Sequence, residues 1–248
     1  MLSFGKANAK HKKLDLAAMD AIGDSFVSIF RGLSPNIKNF YTFSLPAGYT
    51  CPGALQCLTY AHRETGKIQD GPEQEFRCYA ASMECTYPTV RASRWSNYMQ
   101  LNGLTSTAMS ELITASIPKD ADIVRIHVSG DFFSPQYFDA WVEVARRWKN
   151  TLFYAYTKSL QYIQTDDLPA NLQLTASRGG KWDSEIEPLH LNAANVVFSD
   201  DDDVEDIIDN NDINAIIGGT DFSLVLHGTQ PKGTPAGEAL KLLRKATV

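Results

Sequence analysis

The 248 residues carry 44% hydrophobic and 10% aromatic content, enough apolar surface to bury a sizeable core as one large domain or two small ones. Against 29 Asp plus Glu there are only 23 Lys plus Arg, a formal charge of -6, so no global field recruits nucleic acid or an anionic membrane, and nucleic-acid contact needs a local patch. No run is long enough to span a bilayer, and the basic N-terminus is followed by acids where a signal peptide needs its apolar segment, which points to a reducing cytosol.

In chain order, Leu14, Leu16, Ala17, Met19, Ile22, Phe26, Ile29 and Phe30 recur at helical spacing, and Gly32 with Ser34-Pro35 ends the run, predicting an amphipathic helix. The basic head Lys6, Lys10, Lys12 and Lys13 reads as a solvated terminus in preference to a phosphate contact. Phe40, Tyr41 and Phe43 then predict a short strand closed by Pro46 and Gly48.

All four cysteines follow, between Phe43 and Asn97: Cys51, Cys57, Cys78 and Cys85. In a reducing compartment, grouped thiols are more often metal ligands or redox groups than disulfides. A strand leading into Cys51-Pro52-Gly53 suits backbone bent around an inorganic centre, with free amides aimed at sulfur. After Cys57 the stretch LTYAHRETG reads as helical, KIQDGPEQE as an exposed insertion, and Cys78 and Cys85, seven apart, as neighbours on one helix face. Three readings compete: a zinc site, which usually has Cys-x-x-Cys knuckles that this chain lacks; buried unligated cysteines; and an iron–sulfur cluster, which tolerates looser spacing and is favoured here.

Arg91, Arg94, Trp95, Asn97 and Tyr98 interleave cations with aromatics, which suits stacking on a base but more often marks a helix covering the core with its Arg stems. A helix over Ser106–Ile117 is followed by the strand around Ile123–Val128, which ends at Ser129-Gly130-Asp131 and leads into the helix YFDAWVEVARRW. Further strands TLFYAYT, LQLTAS and NVVFS end at Thr157-Lys158-Ser159, Arg178-Gly179-Gly180 and Asp200–Asp203. This alternation predicts a parallel α/β sheet, open or as a partial, irregular TIM-like barrel, with ligand groups at the C-terminal strand ends. Asp131, Lys158 and Arg178 are the catalytic candidates there, and Ser129, Gly130, Thr157 and Ser177 the cofactor-binding ones; capping, loop solvation and turn formation are their structural alternatives. His127 is a core histidine or a ligand, and His227, ending the strand SLVLHG, is the best metal candidate outside the cysteines. The acidic run SDDDDVEDIIDNNDIN lacks the glycine and terminal glutamate of a calcium loop and reads as solvated surface.

The strings FSLPAGYTCPGALQC and FRCYAAS, followed by RIHVSGDFFSPQYFDAWVEVA and LFYAYTKSL, resemble the phage gene product 88 family, over roughly Phe40 to Gly180, and the motifs of radical-SAM-like phage proteins. The resemblance implies a [4Fe–4S] cluster on Cys51, Cys57 and Cys78, one iron left for S-adenosylmethionine, and Gly130 and Asp131 against the amino-acid part of that cofactor. The compact CxxxCxxC spacing is absent, and Cys85 is a fourth candidate ligand that would fill the last iron. The expected organisation is a single domain over 1–248, with a helical extension at 1–39, a cluster-binding region at 40–98 and β/α repeats at 99–248. The expected role is a phage-encoded iron–sulfur protein in the host cytoplasm, possessing an S-adenosylmethionine-dependent activity, with a non-catalytic iron–sulfur or zinc protein, structural, redox, nucleic-acid-binding or virion-associated, as the alternative. Substrate and oligomeric state are not legible.

Overall fold

A computed structural model describes residues 1–6, 39–198 and 207–246. The expected N-terminal helix and the acidic stretch from Asp200 to Asp206 lie outside the described residues. The strands are β1 (Gly5–Lys6), β2 (Phe40–Ser44), β3 (Thr59–Ala61), β4 (Ile68–Asp70), β5 (Ile123–Ser129), β6 (Leu152–Thr157), β7 (Leu172–Ser177), β8 (Ala193–Val197) and β9 (Phe222–Val225). The α-helices are α1 (Tyr79–Thr86), α2 (Pro88–Leu101), α3 (Ser106–Ser116), α4 (Pro135–Arg147), α5 (Ile213–Ile217) and α6 (Pro235–Ala246).

Seven strands form one sheet in the order β1-β2-β5-β6-β7-β8-β9. Among the described strands of this sheet, β1 runs antiparallel to its neighbour and the other pairings are parallel. β5 and β6 are nearly continuous buried runs, as strands covered on both faces must be. Trp141, Tyr137 and Phe138 of α4 are buried in the core that holds Phe43, Phe153 and Ile126. Helix α4 starts where Ser134 accepts from Tyr137 N at 3.2 Å and Pro135 occupies the first turn, while Arg146 and Arg147 favour its C-terminal dipole. Each new parallel strand extends the sheet on the same side, and among the described residues the sheet is not closed into a barrel: β1 and β9 stand at opposite edges.

Two local expectations change. The stretch after Cys57 is not helical: Thr59–Ala61 and Ile68–Asp70 pair antiparallel, with Thr59 opposite Asp70, so the expected insertion is a small hairpin. The β-branched and aromatic pair Thr59-Tyr60 favours the pleated form, and Gly66 N donates to His62 O at 2.8 Å to close its turn. The stretch Arg91–Tyr98 belongs to α2, where Arg91, Arg94 and Asn97 are buried, the structural alternative for those residues.

Candidate functional site

The chain leaves β2 into a tight bend, with Thr50 Oγ1 donating to Pro46 O at 2.7 Å and Cys51 N to Gly48 O at 3.1 Å. The cysteine loop then lies on the C-terminal ends of three strands. Asp131 N, just past β5, donates to Thr50 O at 3.1 Å; Lys181 N and Gln56 N pair with Gly53 O and Gly179 O beyond β7. Gly53 rests on the Lys158 carbonyl after β6 so closely that a Cβ would sit 1.9 Å from that oxygen. Gly130 is similarly constrained: its φ is +82°, and a Cβ would meet Thr50 Oγ1 at 2.5 Å and Leu45 Cβ at 2.7 Å. Gly130→Ala is therefore expected to destabilise the protein by about 1–3 kcal/mol through left-handed strain alone, with the clash adding to it. A urea midpoint unchanged from wild type would contradict that packing.

The second and third cysteines are joined through one hydroxyl. Thr59 Oγ1 donates to Cys57 O at 3.2 Å and accepts from Cys78 N at 3.1 Å, so the hairpin strand holds both ends of its own insertion. Cys78 is the N-cap of α1, with ψ at 124°, outside helical conformation. The expected shared face of Cys78 and Cys85 therefore fails: the helix begins only after Cys78, and Cys85, in its last turn, is exposed.

Cys51, Cys57 and Cys78 line one cavity of about 180 Å³, and Cys85 does not. All four are free thiols. Burial pushes the Cys57 thiol up to about 11, with the Lys158 cation pulling the other way. It raises Cys51 and Cys78 as well, and at Cys51 the carboxylate of Asp131 and the other two sulfurs add to the rise. Among the described residues no three His, Cys, Asp or Glu side chains are gathered closely enough to share a single metal ion.

The strand-end candidates mostly converge on this cavity. Ser129, Gly130, Asp131, Thr157, Lys158 and Ser177 line it, together with His227. Arg178 does not: its side chain is 45% exposed and faces Asp221 at 3.4 Å, because residues leaving a strand alternate in direction. Asp131 accepts from Phe132 N at 2.7 Å, Thr157 Oγ1 at 2.7 Å and Lys158 N at 2.8 Å. Lys158 Nζ donates to Ser177 O at 2.8 Å, Ser177 Oγ at 2.9 Å and Arg178 O. These two charges tie β5 to β6 and β6 to β7, building the floor beneath the cysteine loop. Burial raises the Asp131 carboxyl above its ordinary range, opposed by the hydrogen bonds from Thr157 and the backbone.

β5 carries two further lining residues with ionisable side chains. Between Thr42↔Arg125 and Ser44↔Ser129 the β2–β5 register shifts, and His127 adopts a φ of +65° in this bulge. Bulges re-aim side chains next to sites. His127 Nε2 lies 3.0 Å from Tyr137 Oη, Nδ1 is buried without a partner, and burial together with Arg125 lowers its pKa to about 3. A histidine whose folded pKa is depressed contributes stability that is present above 6.5 and lost as pH falls toward 3, on the order of 5 kcal/mol when fully developed. His127→Asn, which tolerates the left-handed backbone and does not titrate, is expected to flatten the acid limb of a urea-midpoint profile; parallel profiles would contradict the buried neutral imidazole.

Arg125, the other lining residue, donates through Nη1 to Asp212 Oδ2 at 2.5 Å, and its guanidinium lies 5.0 Å from the Tyr156 ring centroid. The sequence signal for it was a lone charge inside the otherwise apolar run IVRIHV. Beneath the cysteine region, Glu84 is fully buried and accepts from Arg94 Nη1 at 2.8 Å, Ala47 N at 2.9 Å and Ser129 Oγ at 3.1 Å.

Among the described residues no helix is long and apolar enough to cross a membrane. No solved structure matches the chain. The Gene 88 proteins of Mycobacterium phage D29 and Mycobacterium phage L5 are each 29% identical to it over 146 residues, covering 54% of this chain and 54% of the relative. The chain thus matches about half the length of these curated relatives. The family profile described as Gene product 88 matches residues 2–245, so the chain belongs to the phage gene product 88 family.

Proposed function

We propose that the protein is an iron–sulfur protein in which Cys51, Cys57 and Cys78 hold a [4Fe–4S] cluster, leaving one iron available to S-adenosylmethionine in the cavity. The observation that carries this reading is the separation of the cysteines: three line one cavity at the ends of parallel strands, while Cys85 is exposed elsewhere. The donor set fits. Three thiols without disulfide partners on one cavity wall suit ligands that each reach a different iron. An unbroken run of neighbouring parallel strands from β2 to β9 suits an arc of a TIM-like barrel, and hence a radical-SAM-like ancestry.

When bound, such a centre supplies a one-electron donor and an open coordination position. The chain's own contribution is positional. Gly53 lets the cysteine loop settle against the Lys158 carbonyl, Thr59 couples Cys57 to Cys78, and Asp131 with Lys158 fixes the strand ends below. The Lys158 cation also favours the thiolate form of Cys57. Protein of this kind acts in the cytoplasm of an infected host.

A non-catalytic iron–sulfur or zinc centre is the second reading, favoured by one observation: Asp131 and Lys158 commit their polar groups to the chain itself. Iron, zinc and acid-labile sulfide analysis of protein prepared without oxygen, followed by titration with S-adenosylmethionine under electron paramagnetic resonance, separates the two. About four irons and four sulfides per chain with a spectrum perturbed by the titrant are expected. Zinc without sulfide would overturn the cluster; a cluster indifferent to S-adenosylmethionine would leave the non-catalytic reading.

A further inference from the structure

The cavity wall contains a buried ion pair that the cysteine centre does not explain. Arg125 sits in the middle of β5, 9% exposed, and lines the cavity; Asp212, opposite, is fully buried. Asp212 accepts from Arg125 Nη1, from Tyr154 Oη at 2.9 Å and from Tyr156 Oη at 2.9 Å, and it holds a φ of +68°. The carboxylate is thus well supplied with donors. The guanidinium is not equally supplied with acceptors: it has five N–H groups, Asp212 takes one of them, and among the described residues Nε has no partner. Burial works against the Arg125 charge, but the adjacent Asp212 carboxylate overrides it and keeps the guanidinium protonated. A buried pair of this kind adds little stability over apolar residues of the same volume, so packing alone does not account for it.

The surroundings specify what would complete it. Phe76, Val196, Leu224 and Leu226 give this cavity an apolar wall, and Tyr156 lies against the guanidinium face. The other cations lining the cavity are already engaged, Lys158 by the oxygens of Ser177 and Arg178 and Arg77 by the Asp70 carboxylate, and His127 stays neutral in the physiological range. One under-used planar fork in an apolar cavity matches one planar monoanion. A phosphate dianion would bring more charge and more acceptors than the wall can answer.

We propose that Arg125 forms a carboxylate-binding subsite, receiving the acid group of a small, otherwise apolar molecule whose body lies against Phe76, Leu224 and Leu226. Asp212, Tyr154 and Tyr156 are positioning residues that hold the guanidinium in place from behind. The subsite shares the cavity with Cys51, Cys57 and Cys78 but uses none of them and does not require the cluster.

The test uses the full chain after chelator treatment, titrated calorimetrically with 3-phenylpropionate and, as a neutral match, 3-phenylpropionamide. The acid is expected to bind at least tenfold more tightly than the amide. Arg125→Lys keeps a cation but loses the fork and should weaken the acid several-fold without affecting the amide. Arg125→Met combined with Asp212→Asn removes both charges together and, with circular dichroism showing the native fold, should abolish the preference. Equal binding of acid and amide, binding of neither, or a preference surviving in either variant at wild-type strength would overturn the proposal. Because iron is absent throughout, failure here leaves the metal analysis standing, and failure of the metal analysis leaves this result standing.

Discussion

Alanine in place of Cys51, Cys57 or Cys78 is expected to lower the iron and acid-labile sulfide of anaerobically prepared protein by at least about tenfold, a loss that outer partners of ligands alone typically cause. Alanine at Cys85 is expected to leave both unchanged. The contrast follows from placement, since three thiols share a cavity wall while Cys85 is exposed near the end of α1. A purely packing role would give a different result. Replacing a half-buried thiol by a methyl group would then change the unfolding midpoint slightly and move no metal. If Cys85→Ala loses iron alongside the other three, all four cysteines are ligands and no iron is left open.

The second large effect is expected at Glu84. Its carboxylate joins the start of the cysteine bend through Ala47 N, the end of β5 through Ser129 Oγ, and α2 through Arg94. Burial raises its pKa, and the Arg94 cation together with the hydrogen bonds from Ala47 N and Ser129 Oγ opposes that rise. Glu84→Ala leaves Arg94 buried without its counter-ion, although Arg94 Nη1 still reaches Ala80 O at 2.9 Å. Removing one partner of a buried pair costs about 3–5 kcal/mol. Urea unfolding at neutral pH should show that loss, and Glu84→Leu with Arg94→Met should recover much of it. A single variant within about 0.5 kcal/mol of wild type, the range of ordinary surface changes, would refute the pair's role.

Much of the sheet was readable because β5, β6 and β7 are short β-branched or aromatic runs ending in polar residues, and their strand ends do meet at the cavity. Residue type grouped all four cysteines, and only the family resemblance singled out Cys51, Cys57 and Cys78, the three that line the cavity. The errors came from conditions that no local pattern encodes. Cys78 and Cys85 are correctly spaced for one helix face, but the helix starts one residue too late to include the first. Arg178 ends a lining strand yet turns outward. No local pattern marks Arg125, because burying a guanidinium depends on Asp212, 87 residues further on, and Glu84 depends likewise on a partner in the next helix.

The cysteine loop rests on supports made much later in the chain: Lys181 Nζ donates to Pro52 O across 129 residues, and Gly53 leans on Lys158. On a ribosome adding roughly 5–20 residues per second, the first two thiols would emerge many seconds before the strands that shelter them. Until β7 docks, they are open to oxidants and to stray metal ions. A centre of the proposed kind would therefore be assembled after synthesis of most of the chain, and slower translation would lengthen the period in which these thiols stand open.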